Sequence, residues 1–205
     1  WVVKAGFTKG LGLAKPHHVN KELYMELLGL FFQIFNKARR EGLMSIEADV
    51  EDPHSSELFN SAPKVAADHH IVDFICDYLR LMISGASNPY QLEDLMILEI
   101  DSHHHEAMMP SAAIGKVAEA LPAFGIVAAV LGIIITMSYL DAGPMEIAHH
   151  MSVALVGTFL GILFAYGFVA PISSDLANRV EAESSVYNVM KTLLIANLNG
   201  YAPQV

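Results

Sequence analysis

The chain has 205 residues, with 22 acidic against 12 basic side chains and a formal net charge of −10. That balance argues against nucleic acid as a partner, because phosphate binding needs clustered Lys and Arg, and against a polybasic anchor on a membrane surface. Charged residues make up only 17% of the chain and most precede residue 120, too uneven a distribution for one soluble domain. The single cysteine, Cys76, excludes an internal disulfide framework, and its apolar helical surroundings predict a buried thiol.

The opening WVVK reads as the end of a membrane span, with Trp1 at the interface and Lys4 on the polar side, so upstream sequence is expected. Residues 4–19 mix Gly, Pro and Lys without periodicity and form a connector. Asn20 suits the N-cap of a helix reaching about Glu41, in which Leu23, Leu27, Leu30, Phe31, Ile34, Phe35 and Ala38 share one apolar face. Gly42 suits a C-terminal cap, or a brief break before Leu43 to Val50 resumes the helix. Residues 51–64 read as a polar, proline-punctuated loop. Val65 to Ser84 predicts a second amphipathic helix with Ile71, Phe74, Ile75, Tyr78, Leu79 and Met82 on its apolar side, ended by Gly85. Asn88-Pro89 starts a third, with Glu93 and Asp94 in the opening turns that the helix dipole favours for acids. It runs towards His105, and Pro110 is the place for a kink or a restart.

Two runs without Asp, Glu, Lys, Arg or His follow, from Ala120 to Leu140 and from Met151 to Ser174. Each is long enough to cross a hydrocarbon core, which takes roughly 20 apolar residues in helical form. The link from Asp141 to His150 holds acid and histidine but no base, whereas Lys116 precedes the pair and Arg179 follows it. The positive-inside rule therefore puts both flanks in the cytoplasm and the tip outside. From Asp175 onward, Leu176, Val180, Val186, Val189, Leu193 and Leu194 predict a last helix. With no β-rich segment, the fold class is all-α, a polytopic helical membrane protein with a large cytoplasmic helical domain. Its expected divisions are 1–19 for a span end and connector, 20–118 for the cytoplasmic domain, 119–174 for the transmembrane hairpin and 175–205 for a cytoplasmic helix and tail.

Gly125, Ala129 and Gly132 stripe the first span, and Gly157 and Gly161 form a GxxxG on the second. Small residues at this spacing let helix backbones approach closely. Pro122 and Pro171 free the carbonyls of Ala118 and Gly167, which in a membrane must be satisfied by protein, water or a passing ion. Thr158 and Tyr166 bring hydroxyls into the second span and Thr136 lies in the first; a threonine in a helix ordinarily bonds its own backbone. Neither span carries a carboxylate or a histidine, so an intramembrane proton carrier has to come from a partner helix.

LPAFGIVAAVLGIIITM (Leu121 to Met137) and VALVGTFLGILFAYGFVAPI (Val153 to Ile172) resemble the third and fourth membrane helices of the motility protein A (MotA) family. KARREGLMSIE (Lys37 to Glu47) resembles its cytoplasmic signature, and HHIVDFICDYLRLMISG and NLNGYAP are similar to its later segments. The resemblance implies a flagellar stator subunit in the bacterial inner membrane, with several copies around a MotB dimer and lipid outside. The MotB membrane aspartate would carry ions, and the cytoplasmic part would push on the rotor protein FliG. It implies that Arg39 and Glu47 face the rotor, that Pro122 and Pro171 serve conduction and coupling, and that Thr158 and Tyr166 face the MotB aspartate. Sodium-driven relatives carry threonine where this chain has Ala129, so protons are the expected coupling ion.

An ExbB or TolQ type of proton-channel subunit and a non-conducting membrane scaffold are the alternatives. Enzyme activity, metals and cofactors are not expected, since no nucleophile–base set, phosphate loop or spaced metal motif is present. The runs His69-His70, His103-His104-His105 and His149-His150 read as solvated surface, because adjacent residues on a helix point apart and chelate poorly. On this topology His149 and His150 face outward, where they would tune the local proton supply.

Overall fold

The computed structural model describes residues 19–85 and 88–202, and every regular element among them is helical. Trp1, Lys4 and the rest of the connector through residue 18 lie outside the described residues, as do residues 203–205. The described residues divide into two compact units: His105–Val180, and residues 19–104 together with those from Glu181 onward.

In the second unit, α1 (Lys21–Glu41) starts where Asn20 caps it, the Asn20 side-chain oxygen accepting from the Leu23 N–H at 2.9 Å. Its seven buried residues are the apolar face expected, and Gly42 ends it at φ 90°, a conformation that glycine adopts without a Cβ penalty. A 3₁₀ turn (Leu43–Ile46) and α2 (Glu47–Glu51) follow. Residues 51–64 are more ordered than a loop. They contain α3 (Glu57–Asn60) and the start of α4 (Pro63–Ala66). The reason is the spacing of Phe59, Ala62 and Val65, all fully buried in the core. Helix α5 (His69–Ile83) begins four residues later than the apolar pattern suggests. Asp68 accounts for the delay: it leaves the helix and caps the amides of His70 and Ile71. The core of this unit joins α1 and α5 to Leu92, Met96 and Ile100 on the next helix and to Val186, Tyr187, Met190 and Leu194 on the last.

Helix α6 (Pro89–Met137) runs 49 residues without interruption, so the helix expected from Asn88-Pro89 and the first apolar run are one element. Pro110 neither breaks nor restarts it. A proline in a helix interior costs about 3 kcal/mol or more. Here the adjoining Ser111 is buried and hydrogen-bonded across to the returning helix, which opposes a break. A 3₁₀ turn (Leu140–Ala142) and Gly143 reverse the chain into α7 (Pro144–Phe164). A five-residue π turn (Ala165–Val169) then leads straight into α8 (Ala170–Leu198), which contains the last helix expected from Asp175.

Candidate functional site

The unit His105–Val180 is an antiparallel hairpin closed along a seam of small residues. A Cβ added to Gly125 would lie 3.0 Å from the Thr158 Cα, and one on Gly161 would lie 2.8 Å from the Leu121 carbonyl oxygen. At Gly157 the facing atom is the Ala128 Cβ at 3.1 Å, and at Gly132 it is the Ala154 Cβ at 2.3 Å. The four glycines picked out by spacing therefore pack the two runs against each other, and they are spent on this seam rather than on an outside helix.

Polar groups fasten the same seam. Thr158 donates its hydroxyl to the Gly125 carbonyl at 3.1 Å, across the hairpin rather than along its own helix. Thr136 behaves as expected of a threonine in a helix, donating to Gly132 at 2.7 Å. Nearer the open end, Ser111 donates to the Ser173 carbonyl at 2.7 Å and Ser173 returns a bond to the Ser111 carbonyl at 2.9 Å. Gly115 admits the Ser173 hydroxyl, which would stand 3.2 Å from an added Cβ. This reciprocal clasp was not legible in the sequence. The signal available was two serines and a glycine near the ends of the runs, a pattern too common to single out.

The remaining faces are unpartnered. Phe124, Phe159, Leu155 and Tyr166 are each more than 60% exposed, and isoleucines 126, 133, 134 and 135 stand out beside them. An apolar surface this large marks contact with lipid or with another apolar chain. Both long helices, Pro89–Met137 and Pro144–Leu198, are long and apolar enough to cross a membrane. Of the residues expected along an ion path, Pro122 and Ala129 are half-buried on α6 and Thr158 is half-buried in the seam. Tyr166 sits exposed in the π turn and Pro171 is exposed just past it. The π turn itself is marked by the Ala170 N–H reaching back five residues to the Ala165 carbonyl. Such turns in otherwise α-helical segments recur at functional sites.

The other unit carries the charged candidates. Arg39 lies in the last turn of α1 and Glu47 opens α2, both exposed on either side of the Gly42 turn. The ground beneath them is fastened. Lys37 pairs with Asp49 at 2.7 Å, and Asp49 also accepts from the Ser56 hydroxyl at 2.7 Å. Arg80, which the sequence reading passed over, bonds Glu51 at 2.9 Å, Asp77 at 2.8 Å and the Val50 carbonyl at 2.9 Å, tying the end of α2 to α5. Its hydrogen bond to Glu51 raises the guanidinium's already high pKa. Tyr78 donates to Glu99 at 2.6 Å, and burial first, then that carboxylate, push its phenol up. Cys76 is buried as expected; burial pushes its thiol up to about 12, so it is a packing residue rather than a nucleophile. Among the described residues no three His, Cys, Asp or Glu side chains are grouped to hold a metal ion.

Comparison with known proteins places these features in a family. A family described as the MotA/TolQ/ExbB proton channel family matches residues 66–188. Motility protein A of Salmonella typhimurium is 43% identical over 185 residues, which is 90% of this chain and 63% of that protein. The chain thus spans about 63% of the length of the curated relatives it matches first. The flagellar MotAB stator complex from Bacillus subtilis aligns with a TM-score of 0.75 at 25% identity, over 98% of this chain and 70% of the matched one. The C. jejuni MotAB structure aligns with a TM-score of 0.78 at 21% identity, over 99% and 71%, a likeness of fold.

Proposed function

The chain belongs to the MotA/TolQ/ExbB proton channel family, and from that premise we propose that it is a proton-driven stator subunit of the bacterial flagellar motor. The observation that carries this reading is the hairpin: its inner seam is closed by glycine, its outer faces are apolar and exposed, and neither run holds a carboxylate. A wall of this kind conducts only beside a helix that supplies the acid. The partner in this reading is a MotB dimer carrying a membrane aspartate, with several copies of the present chain around it and lipid beyond them.

Pro122, Ala129, Thr158, Tyr166 and Pro171 are the residues proposed to line or couple the ion path. Ala129 offers no hydroxyl to a dehydrated sodium ion, which supports protons. The tip from Asp141 to His150 would face outward, and the unit bearing Arg39 and Glu47 would lie in the cytoplasm of a cell with this chain in its inner membrane. There the exposed Arg39 and Glu47 would work against FliG. The relatives named for motility favour this over an ExbB or TolQ role, which would ask nothing of those two charges.

Reversal of one charge tests the rotor contact. Arg39→Glu is expected to slow swimming severely while leaving the protein in the membrane, and an opposite reversal on FliG is expected to restore part of the speed. Unchanged torque in Arg39→Glu would remove this residue from the interface.

A further inference from the structure

The two sides of the hairpin keep contact in different ways along its length. On α6 the positions that are buried or meet the other side, Ser111, Gly115, Ala118, Gly125, Gly132 and Thr136, keep an even helical spacing throughout. On the returning side Ala154, Gly157, Thr158, Gly161 and Ala165 do the same, and the next position bonded across the hairpin is Ser173. An α-helix turns by about 100° per residue. At that rate Gly157, Thr158, Gly161 and Ala165 all fall within about 60° of Ala154, whereas Ser173 falls about 100° away, off the seam. Taking up one residue brings Ser173 back into line and moves the buried Val180 from about 80° to about 20° off it. The π turn (Ala165–Val169) is where that residue is taken up.

Proline does not account for the turn by itself, since Pro110 and Pro122 stand inside α6 without one. Pro171 has no N–H for the Gly167 carbonyl, so the helical ladder is already one bond short where the extra residue is absorbed. The phase beyond the turn is set by the clasp. Ser111 donates to the Ser173 carbonyl at 2.7 Å, Ser173 donates to the Ser111 carbonyl at 2.9 Å, and the two hydroxyl oxygens lie 3.4 Å apart. Before the turn, the bond from Thr158 to the Gly125 carbonyl fixes the phase of α7. The π turn is thus confined between two ties to the same straight partner.

We propose that Ser111 and Ser173 are positioning residues: their clasp holds the π turn by fixing the phase of α8 against α6, and its release lets the turn pass to an α-helical path with α8 rotated by about 100°. The close contacts at Gly157 and Gly161 leave α7 no room to rotate, so the movement falls to α8. Pro171, on α8, rotates with it and presents a different face. That consequence for an ion path rests on the stator reading, whereas the change of register does not.

The test uses the full chain in its purified membrane assembly, in lipid nanodiscs, imaged by electron cryomicroscopy. In the unaltered chain the Ala170 N–H is expected to reach the Ala165 carbonyl, as in this structure. With Ser111→Ala and Ser173→Ala combined it is expected to reach the Tyr166 carbonyl instead, with α8 rotated by about 100°. A π turn that persists in this double variant overturns the proposal. Should the double variant fail to fold, cysteine pairing decides. Deleting Phe168, which is 55% exposed, removes the extra residue directly. In that deletion Ser111→Cys is expected to cross-link with Ser173→Cys as readily as in the undeleted chain. A cross-link that passes instead to Ser174→Cys shows that the turn does not keep the phase, and also overturns the proposal. Failure of the unaltered chain to restore motility to cells lacking their own subunit would refute the stator reading instead, and the cross-link would still decide the register.

Discussion

At Gly132 one added carbon would stand 2.3 Å from the Ala154 Cβ, whereas at Gly167 the nearest atom to such a carbon is the tip of Leu163 at 3.6 Å. The two glycines are equally small, but only one is structurally required. Gly132→Val is expected to part the hairpin and lower the melting temperature of the assembled complex by several degrees, while Gly167→Ala leaves it nearly unchanged; overpacking of a tight contact costs about 1–3 kcal/mol. Equal melting temperatures would contradict the seam. Cys76 gives a pH-dependent prediction in the other unit. Its thiol rises from the ordinary 9.0 to about 12, chiefly through burial, with Arg80 opposing and Asp77, Asp73 and Glu51 adding. A group whose folded pKa is raised contributes stability that is complete below the unfolded value and is lost as pH climbs towards the folded one. Stability should thus fall between about pH 9 and 12, by up to about 1.4 kcal/mol per pH unit, and Cys76→Ala should flatten that decline in a thermal melt. The glycine stripe and the buried thiol were both legible in the sequence, because spacing alone marks a small-residue face or an apolar one. Arg80 and the Ser111–Ser173 clasp were not, because their partners lie 29 and 62 residues away in the chain.

Elements declared themselves where a local signal stood alone and blurred where two signals competed. Asn20 and Gly42 bound α1 as expected, since nothing nearby contests a side-chain cap or a positive-φ glycine. Asp68 interrupted an apolar pattern, and its capping bonds prevailed over periodicity. Pro110 argued locally for a kink or a restart, yet α6 runs through it without interruption. The π turn had no signature at all, because hydropathy reads the same on either side of Ala165–Val169. On the proposed ion path, a change of helix register at this turn, just before Pro171, would bring Tyr166 to or from the partner helix. Pro171→Ala restores an N–H able to bond the Gly167 carbonyl. It is expected to leave assembly intact and to cut torque at least tenfold in tethered-cell rotation; normal rotation would return the proline to a structural role.

For the whole molecule, the two units have different kinds of incompleteness. The unit built on α1 and α5 encloses its own core and leaves charges such as Arg39 and Glu47 outside. The hairpin encloses little beyond its seam and leaves large apolar side chains outside. Hydropathy made that contrast readable in advance, but the seam's closure onto itself was not, since small residues serve an inner and an outer contact equally well. The central claim is that the hairpin is one wall of a channel whose acid belongs to another chain. Native mass spectrometry of the complex purified from membranes, with a MotB partner co-expressed, tests it most directly. The expected result is an assembly in which several copies of this chain surround two copies of the partner, with none forming when the partner's membrane helix is deleted. A stable, closed assembly of this chain alone, conducting protons without the partner, would contradict the account.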